Sequence, residues 1–179
     1  MQNEIVEIML TEEQIQNRIK EMAAEINKEY AGKNPIFVGV LKGVVMFYAD
    51  FIKNFTEHCQ MDFMWISSYA GKESTGNMKV LQGLSQDIEG RHVVILEDIF
   101  DTGSSLEYTY NFLKEKNPAS LKVCTLLDKP ERRREGITVK CDYTGFVITN
   151  EFVVGYGLDF NEHYRNLPYV GVLSPEAYE

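Results

Sequence analysis

A chain of 179 residues, 44% apolar and 25% charged, can bury one substantial core, and this balance excludes a disordered or membrane-embedded protein. Its 27 acidic and 18 basic residues leave a net charge of −9, the wrong sign for a protein whose main work is gripping nucleic acid. Any phosphate it binds must be met locally, by a few positioned groups or a metal. The apolar runs are too short to cross a bilayer, and Gln2, Asn3 and Glu4 do not open a leader sequence. The expectation is a single domain over residues 1–179 that stays in the cytoplasm, with neither membrane nor nucleic acid as partner. Cys59, Cys124 and Cys141 form no CxxC pair and are expected as reduced, buried thiols.

Thr11 with Gln14 reads as a capping box, and Ile15, Ile19, Met22, Ala23 and Ile26 follow at helical spacing. The first element is therefore expected as an amphipathic helix ending near Ala31-Gly32. Residues 36–41 form an apolar run suited to a strand buried on both faces, broken by Lys42-Gly43. Val44, Tyr48, Phe51, Ile52 and Phe55 then fit one face of a second helix. Residues 61–69 read as a strand, and the small, polar, glycine-containing stretch 70–77 as a long exposed and mobile loop. Residues 92–96 predict a strand. Ser104 with Glu107 is expected to cap a helix that turns Leu106, Tyr110 and Leu113 to the core, and 121–127 predicts the next strand.

This alternation favours an α/β fold with a mostly parallel central sheet flanked by helices. Three short strands near 146–149, 152–155 and 169–173 are expected to form either a sheet edge or a small covering subdomain. The run Arg132-Arg133-Arg134, offset by Glu131 and Glu135, reads as a solvated loop or a subunit contact. His58, His92 and His163 have no metal-binding spacing and read as structural or solvent-facing.

The chemistry concentrates in residues 93–105, VVILEDIFDTGSS. Ligands of a parallel sheet sit beyond the carboxyl ends of its strands, where Glu97 and Asp98 would emerge. Two adjacent carboxylates there can accept hydrogen bonds from a sugar diol, or hold a hard cation such as magnesium directly or through water. Asp101, Thr102, Gly103, Ser104 and Ser105 follow at the start of a helix, where backbone N–H groups and hydroxyls make an anion cradle. A phosphorylated sugar satisfies both ends of the segment. Taken singly, an acidic pair is a common solvated edge and a Thr-Gly-Ser turn a common helix cap; their succession after an apolar strand is the signal.

This segment resembles the phosphoribosyl pyrophosphate signature of type I phosphoribosyltransferases. Leu41-Lys42-Gly43, Ser68-Tyr69, Leu127-Asp128-Lys129 and the stretch from Phe152 to Arg165 occur in the order of that family, and the last is similar to its purine branch. The resemblance spans about Phe37 to Leu173. Ser104 departs mildly, standing where many members carry a larger residue.

The resemblance implies the type I fold with a small hood subdomain, and transfer of a 5-phosphoribosyl group to hypoxanthine or guanine in purine salvage. It implies magnesium as cofactor, positioned by Glu97 and Asp98, with Asp159 helping to bind a second magnesium through water, and a homodimer or homotetramer. It makes Asp101 the general base near the purine N7, where the residue would otherwise be an N-terminal helix charge, and gives the 5′-phosphate to residues 102–105. Leu41, Lys42 and Gly43, in a turn that is often cis, would meet pyrophosphate with Arg165. Lys129 would donate to the exocyclic O6, which selects a 6-oxopurine over adenine because an amino group cannot accept that bond. Phe152, by periodicity a core aromatic, would stack on the base, with Val153 offering backbone groups and Asp159 also nearby. Ser68 and Tyr69 would lead a lid extending to about Val80. Two other readings stay open: a nucleotide-sensing regulator on the same fold, and a receiver domain phosphorylated on Asp98 or Asp101.

Overall fold

The computed structural model describes residues 4–68 and 78–177. Its first strand, β1 (Ile5–Leu10), precedes the helix expected to come first. Val6 and Ile8 are more than half exposed, so no buried alternation marks this strand in the sequence. Antiparallel pairing with β9 (Val170–Leu173), far along the chain, is what orders it.

Helix α1 (Glu12–Tyr30) starts at Thr11, whose Oγ1 accepts the Gln14 N–H at 3.2 Å while Gln14 Oε1 accepts the Thr11 N–H at 2.8 Å. Glu12 and Glu13 in its first turn and Lys28 in its last complement the helix dipole. Ile15, Ile19, Met22, Ala23 and Ile26 are all buried, as their spacing predicts.

Strand β2 (Ile36–Leu41), helix α2 (Val45–Asn54), β3 (Gln60–Ser68) and β4 (Met78–Gln82) follow, then β5 (His92–Phe100), α3 (Ser104–Lys114), β6 (Ser120–Asp128) and β7 (Tyr143–Val147). They form one six-stranded sheet in the order β4-β3-β2-β5-β6-β7, parallel except for β4. Short β8 (Val153–Val154) joins β9 and β1 in a second, antiparallel sheet. The three late strands thus divide: the first closes the edge of the main sheet and the other two cover it.

Two apolar layers enclose the main sheet. Val94 and Leu96 pack with α1 and α2, whereas Val93 and Ile95 pack with Leu106 and Leu113 of α3. This period-two division explains why the strand reads as a continuous apolar run. The strand is longer than expected, running through Phe100 because β6 pairs with it from His92↔Ser120 to Phe100↔Asp128. The acidic pair therefore lies within the strand. Helix α3 is also capped differently: Gly103, at φ 89°, is its N-cap and Ser104 makes no side-chain cap. Glu107 instead accepts hydrogen bonds from the Thr138 N–H and hydroxyl and the Val139 N–H, tying α3 to a distant loop.

Candidate active site

The carboxyl ends of β2, β5 and β6 open into a cleft of about 550 Å³, covered by the chain from β8 to Arg165. Leu41, Lys42, Gly43, Glu97, Asp98, Asp101, Ser105, Lys129, Phe152, Val153, Asp159 and Arg165 all line it. Thr102 and Gly103 line a smaller adjoining cavity of about 70 Å³ with Glu97, Asp101 and Ser105. Ser104 lines neither; it faces a groove along α3 with Glu107 and Tyr108. Ser68 ends β3, and Tyr69 with the loop to Asn77 lies outside the described residues. Met78 to Val80, at the far end of the expected lid, belong to β4.

Strand alternation gives the two acids different neighbours, although their carboxyls stay close enough to interact. Asp98 follows Val94 and Leu96 toward the turn after β2, where a Cβ added to Gly43 would meet Asp98 Oδ2 at 1.9 Å. Glu97 follows Val93 and Ile95 toward the turn that opens α3, and lines both cavities. Burial, then the adjacent Asp98 charge, pushes the Glu97 carboxyl well above the usual range, and burial also raises Asp98. Glu97 Oε2 is buried without a hydrogen-bond partner among the described residues. A divalent cation fits these groups, because it would satisfy the orphaned oxygen and relieve the repulsion. Among the described residues no three or more His, Cys, Asp or Glu converge as ligands. Such an ion would draw its remaining ligands from water and phosphate, as magnesium does.

The opposite wall pairs two cations with two carboxylates. The Leu41–Lys42 peptide is cis. Lys42 Nζ lies 2.8 Å from Glu162 Oε2, while Arg165 Nη2 meets Asp159 Oδ1 at 2.8 Å and Glu162 Oε1 at 3.2 Å. Arg165 Nη1 donates to the Gly157 carbonyl at 2.8 Å, and its buried Nε has no partner among the described residues. Gly157, at φ +97°, rides so close to the β2 turn that a Cβ there would meet the Gly43 oxygen at 1.9 Å.

At the remaining end Lys129 is buried and donates to the Glu151 carbonyl at 2.7 Å; burial lowers its pKa. Phe152 is 38% exposed at the cleft and stands edge-on to Phe160, so it is not the core aromatic that periodicity suggests. Sequence reading missed Asn150, Glu151 and Arg132 as lining residues. Glu151 acts through a carbonyl, which no side-chain pattern reveals. Arg132 Nε donates to Asp101 Oδ1 at 3.1 Å. Its neighbour Arg133 is only 20% exposed and turned inward, so this one residue departs from the solvated loop expected of the run, whose Arg132 and Arg134 are exposed.

Of the cysteines only Cys124 is fully buried; all three are free thiols. His58, His92 and His163 do not line the cleft. No helix among the described residues is long and apolar enough to cross a membrane.

A mostly parallel sheet whose strand ends present an acidic pair, a glycine turn into a helix and a covering subdomain is the fold of the type I phosphoribosyltransferases. Residues 7–161 match the family described as phosphoribosyl transferase domain, and the chain belongs to that family. It is 49% identical to the hypoxanthine-guanine phosphoribosyltransferase of Streptococcus pneumoniae, covering 99% of this chain and 98% of the relative. The enzyme of that name from Staphylococcus aureus is 49% identical over 99% of both chains. A crystal structure of a hypoxanthine phosphoribosyltransferase from Staphylococcus aureus superposes with a TM-score of 0.94 at 47% identity, over 100% of this chain and 97% of that one.

Proposed function

We propose that residues 1–179 act as one unit that transfers the 5-phosphoribosyl group of phosphoribosyl pyrophosphate to hypoxanthine and guanine, releasing pyrophosphate in purine salvage. The observation that carries this reading is the placing of Lys129, a buried ammonium beside exposed Phe152, in the same cleft as the acidic pair. The ammonium offers a donor to a 6-oxo group and the ring offers a stacking face. The relatives' names point to the same bases.

In this reading Glu97 and Asp98 hold the ribose hydroxyls, the turn 102–105 holds the 5′-phosphate, and Val153 presents backbone groups to the base edge. Attack of the purine N9 on ribose C1′ breaks the bond to pyrophosphate through a transition state of oxocarbenium character. Asp101 accepts the proton that the base sheds. Arg165 and the amides of the Lys42 turn stabilise the departing charge. Glu97 and Asp98 would hold magnesium directly or through its water shell, and Asp159 would help to hold a second ion through water; bound there, the metal would compensate the pyrophosphate charge. The segment led by Ser68 and Tyr69 excludes water while the sugar cation develops. The family resemblance further implies a cytoplasmic homodimer or homotetramer.

Product formation with hypoxanthine, guanine and xanthine, each with and without magnesium, tests the reading. IMP from hypoxanthine and phosphoribosyl pyrophosphate, lost on chelation, is the expected result; no nucleotide from any 6-oxopurine would sink it. No observation favours a nucleotide-sensing regulator. A receiver domain leaves the covering stretch from Phe152 to Arg165 without a purpose.

A further inference from the structure

Directly after Lys129 the chain makes a 3₁₀ turn, Pro130–Arg132, and passes behind the segment that opens α3. There it occupies three consecutive backbone carbonyls. The Phe100 oxygen accepts from the Lys129 N–H at 3.0 Å and from Arg133 Nη1 at 2.9 Å. The Asp101 oxygen also accepts from Arg133 Nη1, and the Thr102 oxygen accepts from the Arg134 N–H at 3.0 Å. Arg133 Nη2 is bound in turn to Asp128, and the guanidinium carbon lies 3.1 Å from the centre of the Phe100 ring. A Cβ on Gly103 would stand 3.1 Å from Arg133 Cδ and 2.9 Å from Ile137, so the arm is packed tightly on the turn.

In a trans peptide the C=O and N–H of one unit point in opposite directions. Drawing the carbonyls of Phe100, Asp101 and Thr102 to one side therefore turns the N–H groups of Asp101, Thr102 and Gly103 away from the arm. Successive N–H groups presented in this way form an anion-binding concavity. The residues that carry them line the cavity of about 70 Å³ with Glu97 and Ser105. A guanidinium suits this place because it is always charged, and its rigid planar fork reaches two carbonyls from one nitrogen and a carboxylate from the other, a spread that the single ammonium of a lysine does not reproduce.

We propose that Arg133 is a positioning residue for substrate phosphate, orienting from behind the peptide units whose N–H groups receive the phosphate monoester. Nothing in the established family membership assigns it this role. The proposal rests on the reading that this turn takes the 5′-phosphate, and the test separates the two.

Ribose 5-phosphate binding is measured by calorimetry, and KM is measured separately for phosphoribosyl pyrophosphate and for hypoxanthine. Arg133→Met, which keeps apolar bulk over Phe100, should weaken ribose 5-phosphate and raise KM for phosphoribosyl pyrophosphate about 10- to 100-fold, the span for losing hydrogen bonds from a charged donor. KM for hypoxanthine at saturating cosubstrate should stay nearly constant. Arg133→Lys should recover only part of the loss. Asp128→Asn should give a smaller loss in the same direction, and it decides the matter if Arg133→Met does not fold. Unchanged ribose 5-phosphate affinity, or equal losses for sugar and base, would overturn the role of Arg133. Failure of the unsubstituted protein to bind ribose 5-phosphate would instead sink the reading of the turn itself.

Discussion

The two walls of the cleft are built on opposite principles. On the inner wall Asp98, Gly43 and Gly157 interlock, with no room for a Cβ at either glycine, and Glu97 is buried beside them. On the outer wall Lys42 and Glu162 form an ion pair at the surface, their side chains 49% and 63% exposed. An exposed pair of this kind contributes about 0–1 kcal/mol, so a diphosphate competing for Lys42 has little to displace. The chain is rigid where unfavourable charge must be held in place, and loosely tied where a leaving group has to enter and depart.

The largest expected effect lies between these walls and the helix α3, at Asp101, which lines the same cleft. Asp101→Asn is expected to lower turnover by about 10²- to 10⁴-fold, the range for lost proton-transfer catalysis. A near-normal single-turnover rate would remove Asp101 from the role of base. Next in size is the inner wall: Gly43→Ala should destabilise the fold by about 1–3 kcal/mol through overpacking, read as a lower midpoint in thermal or denaturant unfolding. A variant of unchanged stability would show that the wall yields.

Phe152→Ala removes stacking worth about 1–3 kcal/mol, which corresponds to a KM for the purine raised about 5- to 150-fold. An unaltered KM would place the base elsewhere. Glu162→Gln should do least. Its melting midpoint should move by no more than about 2 °C, and pyrophosphate should bind up to about 5-fold more tightly once Lys42 and Arg165 are relieved of a competing carboxylate. A large loss of pyrophosphate affinity would mean that Glu162 aligns those cations instead of occupying them, and the contrast between the walls would fail.

Some of this was written plainly in the residue order. The capping box at Thr11, the helical spacing from Ile15 to Ile26 and the apolar run before Glu97 are local patterns, and each folds as its period requires. The acidic pair and the hydroxyl-rich glycine turn were visible because their chemistry resides in side chains and in one flexible backbone position. The rest depended on partners distant in the chain. β1 is ordered by β9, more than 150 residues away, and β5 outruns its apolar segment because β6 keeps pairing with it. Ser104 turns from the cleft because Gly103 supplies the left-handed residue at which α3 begins.

Arg132, Arg133 and Arg134 mark the boundary most clearly. Their charge pattern, balanced by two glutamates, is that of a solvated loop, yet folding brings them against Asp101, the Phe100 ring and three backbone carbonyls. Spacing and composition carry the periodicity of an element and the reactivity of a side chain, because both are properties of neighbours along the chain. Which carbonyl an arginine satisfies is set by packing between segments, so only the assembled molecule specifies it.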